Sequence, residues 1–169
     1  MNLPISPIMN TAYLLTGSNL GDRELYLEQA TLYLSQNCGR IVQQSAIYET
    51  APWGILEQPN YLNQAIALET TLNPEELMSS LLQIEAILGR IRTVKYGQRT
   101  IDLDILFFNQ VIMNSQLLKL PHPAIQDRRF ALVALAEIAP NLIHPILNKS
   151  INNLLLACTD ESNVQKKIN

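Results

Sequence analysis

The sequence predicts an α+β domain, and three observations carry that prediction. Strand-like and helix-like segments follow one another in the order β-α-β-β-α-β, with further helical segments behind them. Cap and break signals separate these segments. The chain also has the size and make-up of one domain with a real core, at 169 residues, 47% hydrophobic and 16% charged.

Ala12–Thr16 reads as a short strand, broken by Gly17-Ser18-Asn19. Asp22 is placed to cap a helix reaching about Ser35, with Leu25, Tyr26, Ala30, Leu32, Tyr33 and Leu34 as its apolar side. Ile41 to Thr50 reads as a second strand, ended by Ala51-Pro52-Trp53-Gly54, and Tyr61 to Thr71 as a third. Asn73-Pro74-Glu75-Glu76 supplies a cap, a proline at the first helical position and a Glu three residues after the cap. That helix should stop near Leu88, with Gly89 as the break. Gln98–Phe108 is then a fourth strand, expected to be central, and Val111–Met113 a short partner. Arg129–Ile138 and Ile151–Ala157 read as helices, the first stopped by Pro140. The order is the split pattern of ferredoxin-like domains. One domain is expected over 1–169, with its core at about 11–158 and dispensable, flexible ends at Met1–Asn10 and about Asp160–Asn169.

The formal net charge of −3 argues against broad coating of nucleic acid, so an anionic ligand would need a local cluster of cations. Cys38 and Cys158 lie far apart with no CxxC spacing, which points to neither a disulfide framework nor a zinc site. No secretory leader is read at the N-terminus and no apolar run approaches the ~20 residues that span a bilayer, so a cytoplasmic location is expected.

The chemistry concentrates in QRTIDLDILFF, residues 98–108. Residues two apart on a strand share a face, so Asp102 and Asp104 point the same way with Cα atoms about 6.5–7 Å apart. Leu106 and Phe108 should continue that face, and Ile101, Leu103, Ile105 and Phe107 should form the other. Two such carboxylates suit Mg²⁺, which is held by one or two acids plus substrate phosphates. They would equally suit an edge strand guarded by charge. The preceding loop, GRIRTVKYGQRT at 89–100, carries Arg90, Arg92, Lys95 and Arg99 and no acid. Arginine forks grip phosphate oxygens bidentately, so the loop and the acids together point to metal-dependent phosphoryl or nucleotidyl transfer.

Other residues leave two readings each. His122 stands between prolines, stiffly held, and is either structural or functional; His144 reads as structural. Gly17-Ser18-Asn19 either presents backbone N–H groups to an anion or simply turns the chain. Trp53, Tyr61 and Phe130 either stack on a planar ligand or pack, and Asn63 either reads that ligand's edge or is internal.

Seven segments, in order and at compatible spacing, resemble one family: GSNLGDR (17–23), YETAPWG (48–54), QPNYLNQAIALET (58–70), LLQIEAILGRIR (81–92), YGQRTIDLDILFF (96–108), LPHPAIQDRRFAL (120–132) and EIAPNLIHP (137–145). The chain resembles the 6-hydroxymethyl-7,8-dihydropterin pyrophosphokinases of folate biosynthesis over about residues 12–157. The resemblance implies a three-layer α-β-α sandwich with a mainly antiparallel sheet on a ferredoxin-like core. It implies transfer of pyrophosphate from ATP, by attack of the pterin hydroxymethyl oxygen on the β-phosphorus, with AMP released. Asp102 and Asp104 would hold two Mg²⁺ ions, Arg90 and Arg99 the phosphates, with His122 adding a hydrogen bond. Glu85, Arg92, Tyr96 and Arg128 would lie on the nucleotide side. Tyr61 and Phe130 would sandwich the pterin, with Gly17, Asn63 and the Thr50–Gly54 segment, including Pro52 and Trp53, around its edge. A monomer acting alone on these two small substrates is expected.

Departures from the best-known bacterial form concern Tyr96 for a lid Trp, Gln98 for Pro, a loop one residue shorter, Leu82 and Leu117 at polar nucleotide contacts, and Ala134 for Pro. They bear on lid closure and ATP affinity. Two rival readings are a catalytically dead pterin or nucleotide binder, which would have no need of paired metal ligands, and a DxD nucleotidyltransferase with another acceptor.

Overall fold

The computed structural model describes residues 3–52, 55–91, 95 and 97–168. In chain order they form β1 (Asn10–Ser18), α1 (Arg23–Asn37), β2 (Arg40–Gln44), β3 (Tyr48–Thr50), β4 (Tyr61–Thr70), α2 (Pro74–Ile87), β5 (Asp102–Phe108), β6 (Met113–Asn114), β7 (Lys119–Leu120), α3 (Arg129–Ile138), α4 (Ile151–Ala157) and β8 (Val164–Lys166). A single turn of 3₁₀ helix at Ile125–Asp127 precedes α3. The helices begin where local chemistry dictates. Asp22 Oδ1 accepts from Leu25 N at 3.1 Å, and Ser150 Oγ from Asn153 N at 3.1 Å. Asn73 and Glu76 close a reciprocal capping box at 2.9 and 2.8 Å, with Pro74 opening α2. Gly89, at φ +81°, turns the chain out of that helix in a conformation a side chain would strain.

The main sheet runs β5-β1-β4-β3-β8, with β2 also on β4, and every pairing is antiparallel. Alternation along β1 and β4 splits the core into two halves. Leu14, Leu62, Ile66 and Leu68 pack with Leu27 and Leu34 of α1 and with Leu77 and Leu81 of α2. Leu15, Ala65 and Ala67 pack on the opposite face with Ala131, Leu132 and Leu135 of α3 and Ile151 of α4. Two helices therefore cover each face, giving three layers. Burying each such leucine is worth about 1.5–3 kcal/mol, so the two slabs fix the sheet's position between the helix pairs.

Four expectations need correction. The strand expected over Ile41–Thr50 is two strands, β2 and β3, because Ser45 interrupts the ladder: its Oγ accepts from Ala65 N at 2.9 Å in place of a strand carbonyl. Strand β5 is not central but ends the sheet, pairing within it only with β1. It reads as central because helices cover both faces, and its outer edge is protected by Glu85, which accepts from Leu103 N at 3.1 Å, and by His122 N, which donates to Leu106 O at 2.9 Å. The face assignment holds through Leu106 and fails at Phe107 and Phe108. A register shift opposite Tyr13/Leu14 places Phe107 with Leu106 on the α3 side and returns Phe108 to the α1/α2 side. The fourth concerns the segment after Asp160, expected as a dispensable end. It carries β8, which pairs with β3, while Lys167 N donates to Ile47 O at 2.8 Å. No helix among the described residues is long and apolar enough to cross a membrane.

That segment also caps α3. Arg128, the residue before the helix, offers no side-chain cap, and Asp160 supplies one from outside: Oδ2 accepts from Arg129 N at 3.1 Å and Oδ1 from Ser162 N at 2.9 Å. Burial works against the Asp160 carboxylate, but these hydrogen bonds outweigh it and hold its pKa below the ordinary value. Asp160→Ala should therefore cost about 1 kcal/mol at neutral pH. A depressed folded-state pKa gives stability that is present above the unfolded value of about 3.9 and lost as pH falls through the folded one. Urea melts of both proteins should show a gap at neutral pH that narrows in acid, and a gap constant with pH would contradict the carboxylate cap.

Candidate active site

Sheet register assembles the site. On the α3 side, Asp102 lies opposite Gly17, and Gly17 opposite Asn63, so three adjacent strands present these residues in one row. Tyr48 extends the row beyond Asn63, and Thr50 lies opposite Tyr61. One pleat further on, Asp104 faces Leu15. Together with the end of α2, the loop before β5 and the start of α3, this row bounds a cleft of about 250 Å³.

Charged groups on the cleft wall contact one another. Arg90 Nη1 lies 2.6 Å from Glu85 Oε2 and 2.8 Å from Asp102 Oδ1, with its side chain only 9% exposed. Arg99 Nη1 reaches the second oxygen of Asp102 at 3.2 Å, and its Nε donates to Gly97 O. Glu85 is 2% exposed, and its other oxygen accepts from Leu103 N. Burial opposes the charge on Arg90, but Asp102 and Glu85 outweigh it and raise its pKa above the ordinary value.

Asp104 has no such partner at hydrogen-bond distance among the described residues. Desolvation is the main cause, and the charge of Asp102 the next, that push its carboxyl up to about 7, with Arg128 pulling the other way. His122 is pushed down to about 4 by burial and by Arg128. Its ring is therefore neutral at physiological pH. Nδ1 accepts from Ala124 N at 3.2 Å, which assigns the ring proton to Nε2. Nε2 and Arg128 Nη1, 3.5 Å apart, are then both donors, two N–H groups side by side on the cleft wall. The Arg128 guanidinium also lies 6.0 Å from the centre of the Phe130 ring.

Aromatic and neutral groups adjoin this charged set. Tyr61 and Phe130 both line the cleft, and the Tyr61 hydroxyl donates to Gly97 O at 3.3 Å. Asn63 is buried, with Nδ2 donating to Thr50 Oγ1 at 2.7 Å. Gly17 makes room for it, since a Cβ there would lie 2.6 Å from Asn63 Oδ1.

Of the residues singled out in the sequence, Gly17, Thr50, Tyr61, Asn63, Glu85, Arg90, Arg99, Asp102, Asp104, His122, Arg128 and Phe130 all line this one cleft. Pro52 is buried and is not among its lining residues. Trp53, Arg92 and Tyr96 lie outside the described residues. Ala51, within the Thr50–Gly54 segment expected here, lines the cleft too, and Leu15, Met78 and Leu103 do so without having been singled out. Apolar side chains facing a ligand look the same in sequence as those facing the core, and only the cross-strand register distinguishes Leu15.

A sequence model described as 7,8-dihydro-6-hydroxymethylpterin-pyrophosphokinase (HPPK) matches residues 13–140. A Bacillus subtilis protein named 2-amino-4-hydroxy-6-hydroxymethyldihydropteridine pyrophosphokinase is 48% identical over 130 residues, 76% of this chain and 78% of its own length. One of the same name from Methylorubrum extorquens is 44% identical over 136 residues, covering 80% and 86%. Among solved structures, Plasmodium falciparum HPPK-DHPS superposes with a TM-score of 0.72 at 18% identity, over 89% of this chain and 43% of that longer one.

The raised Asp104 pKa has a measurable consequence. An unfolded carboxyl titrates at about 3.9, so between that pH and about 7 the folded state binds the additional proton, and stability from this group falls as pH rises through the window. Without divalent ions, Asp104→Asn should be more stable than the parent above pH ~7 by at least about 1 kcal/mol, with the difference shrinking towards pH ~4. Thermal melts across that range decide it, and a mutant destabilised throughout would show that Asp104 is not held as an uncompensated acid.

Proposed function

This chain belongs to the 7,8-dihydro-6-hydroxymethylpterin-pyrophosphokinase family, and from that premise we propose how its cleft performs the reaction. The activity is that of the family: a pyrophosphokinase acting on 6-hydroxymethyl-7,8-dihydropterin in folate biosynthesis. In the proposed reading ATP is the donor. The pterin hydroxymethyl oxygen attacks the β-phosphorus, the bond from that phosphorus to the α–β bridging oxygen breaks, AMP leaves, and the hydroxyl proton is released. The observation that carries this reading is the convergence, in one cleft built on a row of the sheet, of an acid–arginine set and an aromatic–amide set.

The donor set fits a divalent cation. Asp102 and Asp104 share the cleft, offer only hard oxygen atoms, and include a carboxyl whose raised pKa marks a place short of positive charge. Among the described residues no group of three or more His, Cys, Asp or Glu could hold a metal by itself, which matches a site completed by substrate phosphates. Asp102 and Asp104 would hold two Mg²⁺ ions, which when bound supply Lewis-acid charge for the phosphate oxygens.

The chain's own residues do the rest. Arg90 and Arg99 grip phosphate oxygens, for which their forks are suited, giving up contacts they now make to Asp102. Glu85 keeps Arg90 in place while this happens. His122 and Arg128 add N–H donors, and since His122 is neutral it donates without titrating near pH 7. Arg92 and Tyr96 extend the nucleotide side. Tyr61 and Phe130 stack on the pterin, and Asn63, fixed by Thr50, meets its edge with Pro52 and Trp53 beyond. Positioning and electrostatic stabilisation account for the rate, as in other phosphoryl transfers. Monomeric state and cytoplasmic location complete the reading on the strength of the sequence.

Purified protein with Mg-ATP and the reduced hydroxymethyl pterin should form AMP in a pterin-dependent way, and ADP as the nucleotide product would overturn the reading. Asp102→Ala and Asp104→Ala should each lower kcat by roughly 100-fold or more with the fold retained by circular dichroism. Near-normal turnover in either would remove the metal assignment. Gly17→Ala should act on the aromatic–amide set. It displaces the Asn63 amide, so KM for the pterin should rise by about tenfold while KM for ATP stays put. Calorimetric titration with each ligand separates the two, and equal weakening of both would refute the division of the cleft.

A further inference from the structure

Asn19 is the first residue after β1, since Gly17 and Ser18, expected to break that strand, are paired within it, and nothing in the reaction described above uses Asn19. It is 1% exposed. Among the described residues that line the cleft, its amide hydrogen-bonds only with Arg99. Oδ1 accepts from Arg99 N at 3.0 Å, and Asn19 N donates to Arg99 O at 3.2 Å, so one residue holds both backbone groups of that arginine. Nδ2 donates to Gln58 Oε1 at 3.0 Å and to Pro59 O at 3.2 Å, two residues before Tyr61. Gln58 in turn donates to Ile55 O at 2.7 Å, tying down its own loop. Both hydrogens of the amide and its oxygen are therefore engaged in a water-excluded spot, where such bonds are strongest and their loss is most costly. Among the residue types, only a primary amide of this length offers one acceptor to a backbone N–H and two donors to a second loop.

We propose that Asn19 is a positioning residue that sets Arg99 for the phosphates and couples it to the segment leading into Tyr61. Gly17-Ser18-Asn19 thus forms neither an anion nest nor a reversal, because its first two residues end β1; its asparagine is the joint between the loop carrying Arg99 and the segment before Tyr61. The inference rests on the phosphate-gripping role proposed for Arg99. Asn19 touches no reacting atom in this scheme, so its effect passes through Arg99 and should vanish when that side chain is absent.

A double-mutant cycle in the steady-state AMP assay tests it, with rates expressed per folded molecule. Asn19→Ala should lower kcat by roughly 10- to 100-fold, the scale of a small misplacement of a catalytic group, and also raise KM for the pterin. In the Arg99→Ala background the same change should lower kcat by less than about threefold. Should Asn19→Ala fold poorly, Gln58→Ala, which removes one acceptor of the Asn19 amide and leaves its bonds to Arg99, carries the same cycle with a smaller non-additive loss. Additive losses, with Arg99→Ala itself impaired, would overturn the coupling and leave the role of Arg99 standing. An Arg99→Ala enzyme with full turnover would overturn both. A purely structural Asn19 would lower the melting temperature while leaving both KM values and the kcat per folded molecule unchanged, and that result would also refute the proposal.

Discussion

Arg90 is buried between two carboxylates, and the architecture around the cleft follows from that arrangement. An isolated charge at 9% exposure would cost several kcal/mol, so Glu85 and Asp102 must stay within reach on either side, as they do at 2.6 and 2.8 Å. Glu85 belongs to the last turn of α2 and Asp102 to the first residue of β5. Their shared cation therefore fixes where the helix ends relative to where the strand begins, across a fourteen-residue connection. Glu85 also takes the Leu103 N–H, which an edge strand would otherwise leave unpaired, and so the pairing that neutralises the cleft also closes the sheet. Arg99 takes the second oxygen of Asp102, so that both oxygens of this carboxylate face a guanidinium.

What the sequence made legible follows the range of the interactions involved. Caps at Asp22, Asn73 and Ser150 bond to residues three positions on, and the helices α3 and α4 run as the pattern predicts. Parity placed Asp102 and Asp104 on one face, and the basic loop before them was visible as composition. Where the outcome depends on distant chain, sequence pattern is silent. The edge position of β5 depends on which strands β1 accepts, and its apolar character reflects helices on both faces. The bulge that swaps Phe107 and Phe108 arises in pairing with β1. Strand β8, Val-Gln-Lys, is too short and polar to signal itself and forms because β3 has an open edge to offer.

The same divide runs through the site. His144, read as structural, has Nδ1 accepting from Ile146 N and Leu147 N at 3.2 and 3.1 Å, inside a turn packed edge-on against Phe107. His122, between Pro121 and Pro123, lines the cleft. Local sequence left its role open, because what decides it is that His122 faces Arg128 and Asp102 across space. Residue chemistry left two readings each for Asn63 and Gly17; the reason they belong together, an amide occupying the volume of an absent Cβ, is a contact between strands.

These charges also explain how a site built to hold a polyanion is stable before one arrives. Asp102 is neutralised by two arginines, and Asp104, with no cation at hydrogen-bond distance among the described residues, has its pKa raised by burial. Asp102, Arg90 and Arg99 thus already hold substitutes for substrate charge. In the proposed reaction Arg90 and Arg99 exchange a carboxylate for phosphate oxygens, and the carboxylates exchange arginines and a proton for the ions accompanying the nucleotide. No buried charge need be exposed without a partner during that exchange, so little binding energy goes into desolvation. What the exchange does require is that Arg99 move its head group while its backbone stays fixed. The backbone bonds to Asn19 supply that condition, and they place the burden of precision on the first residue after β1 rather than on the arginine itself.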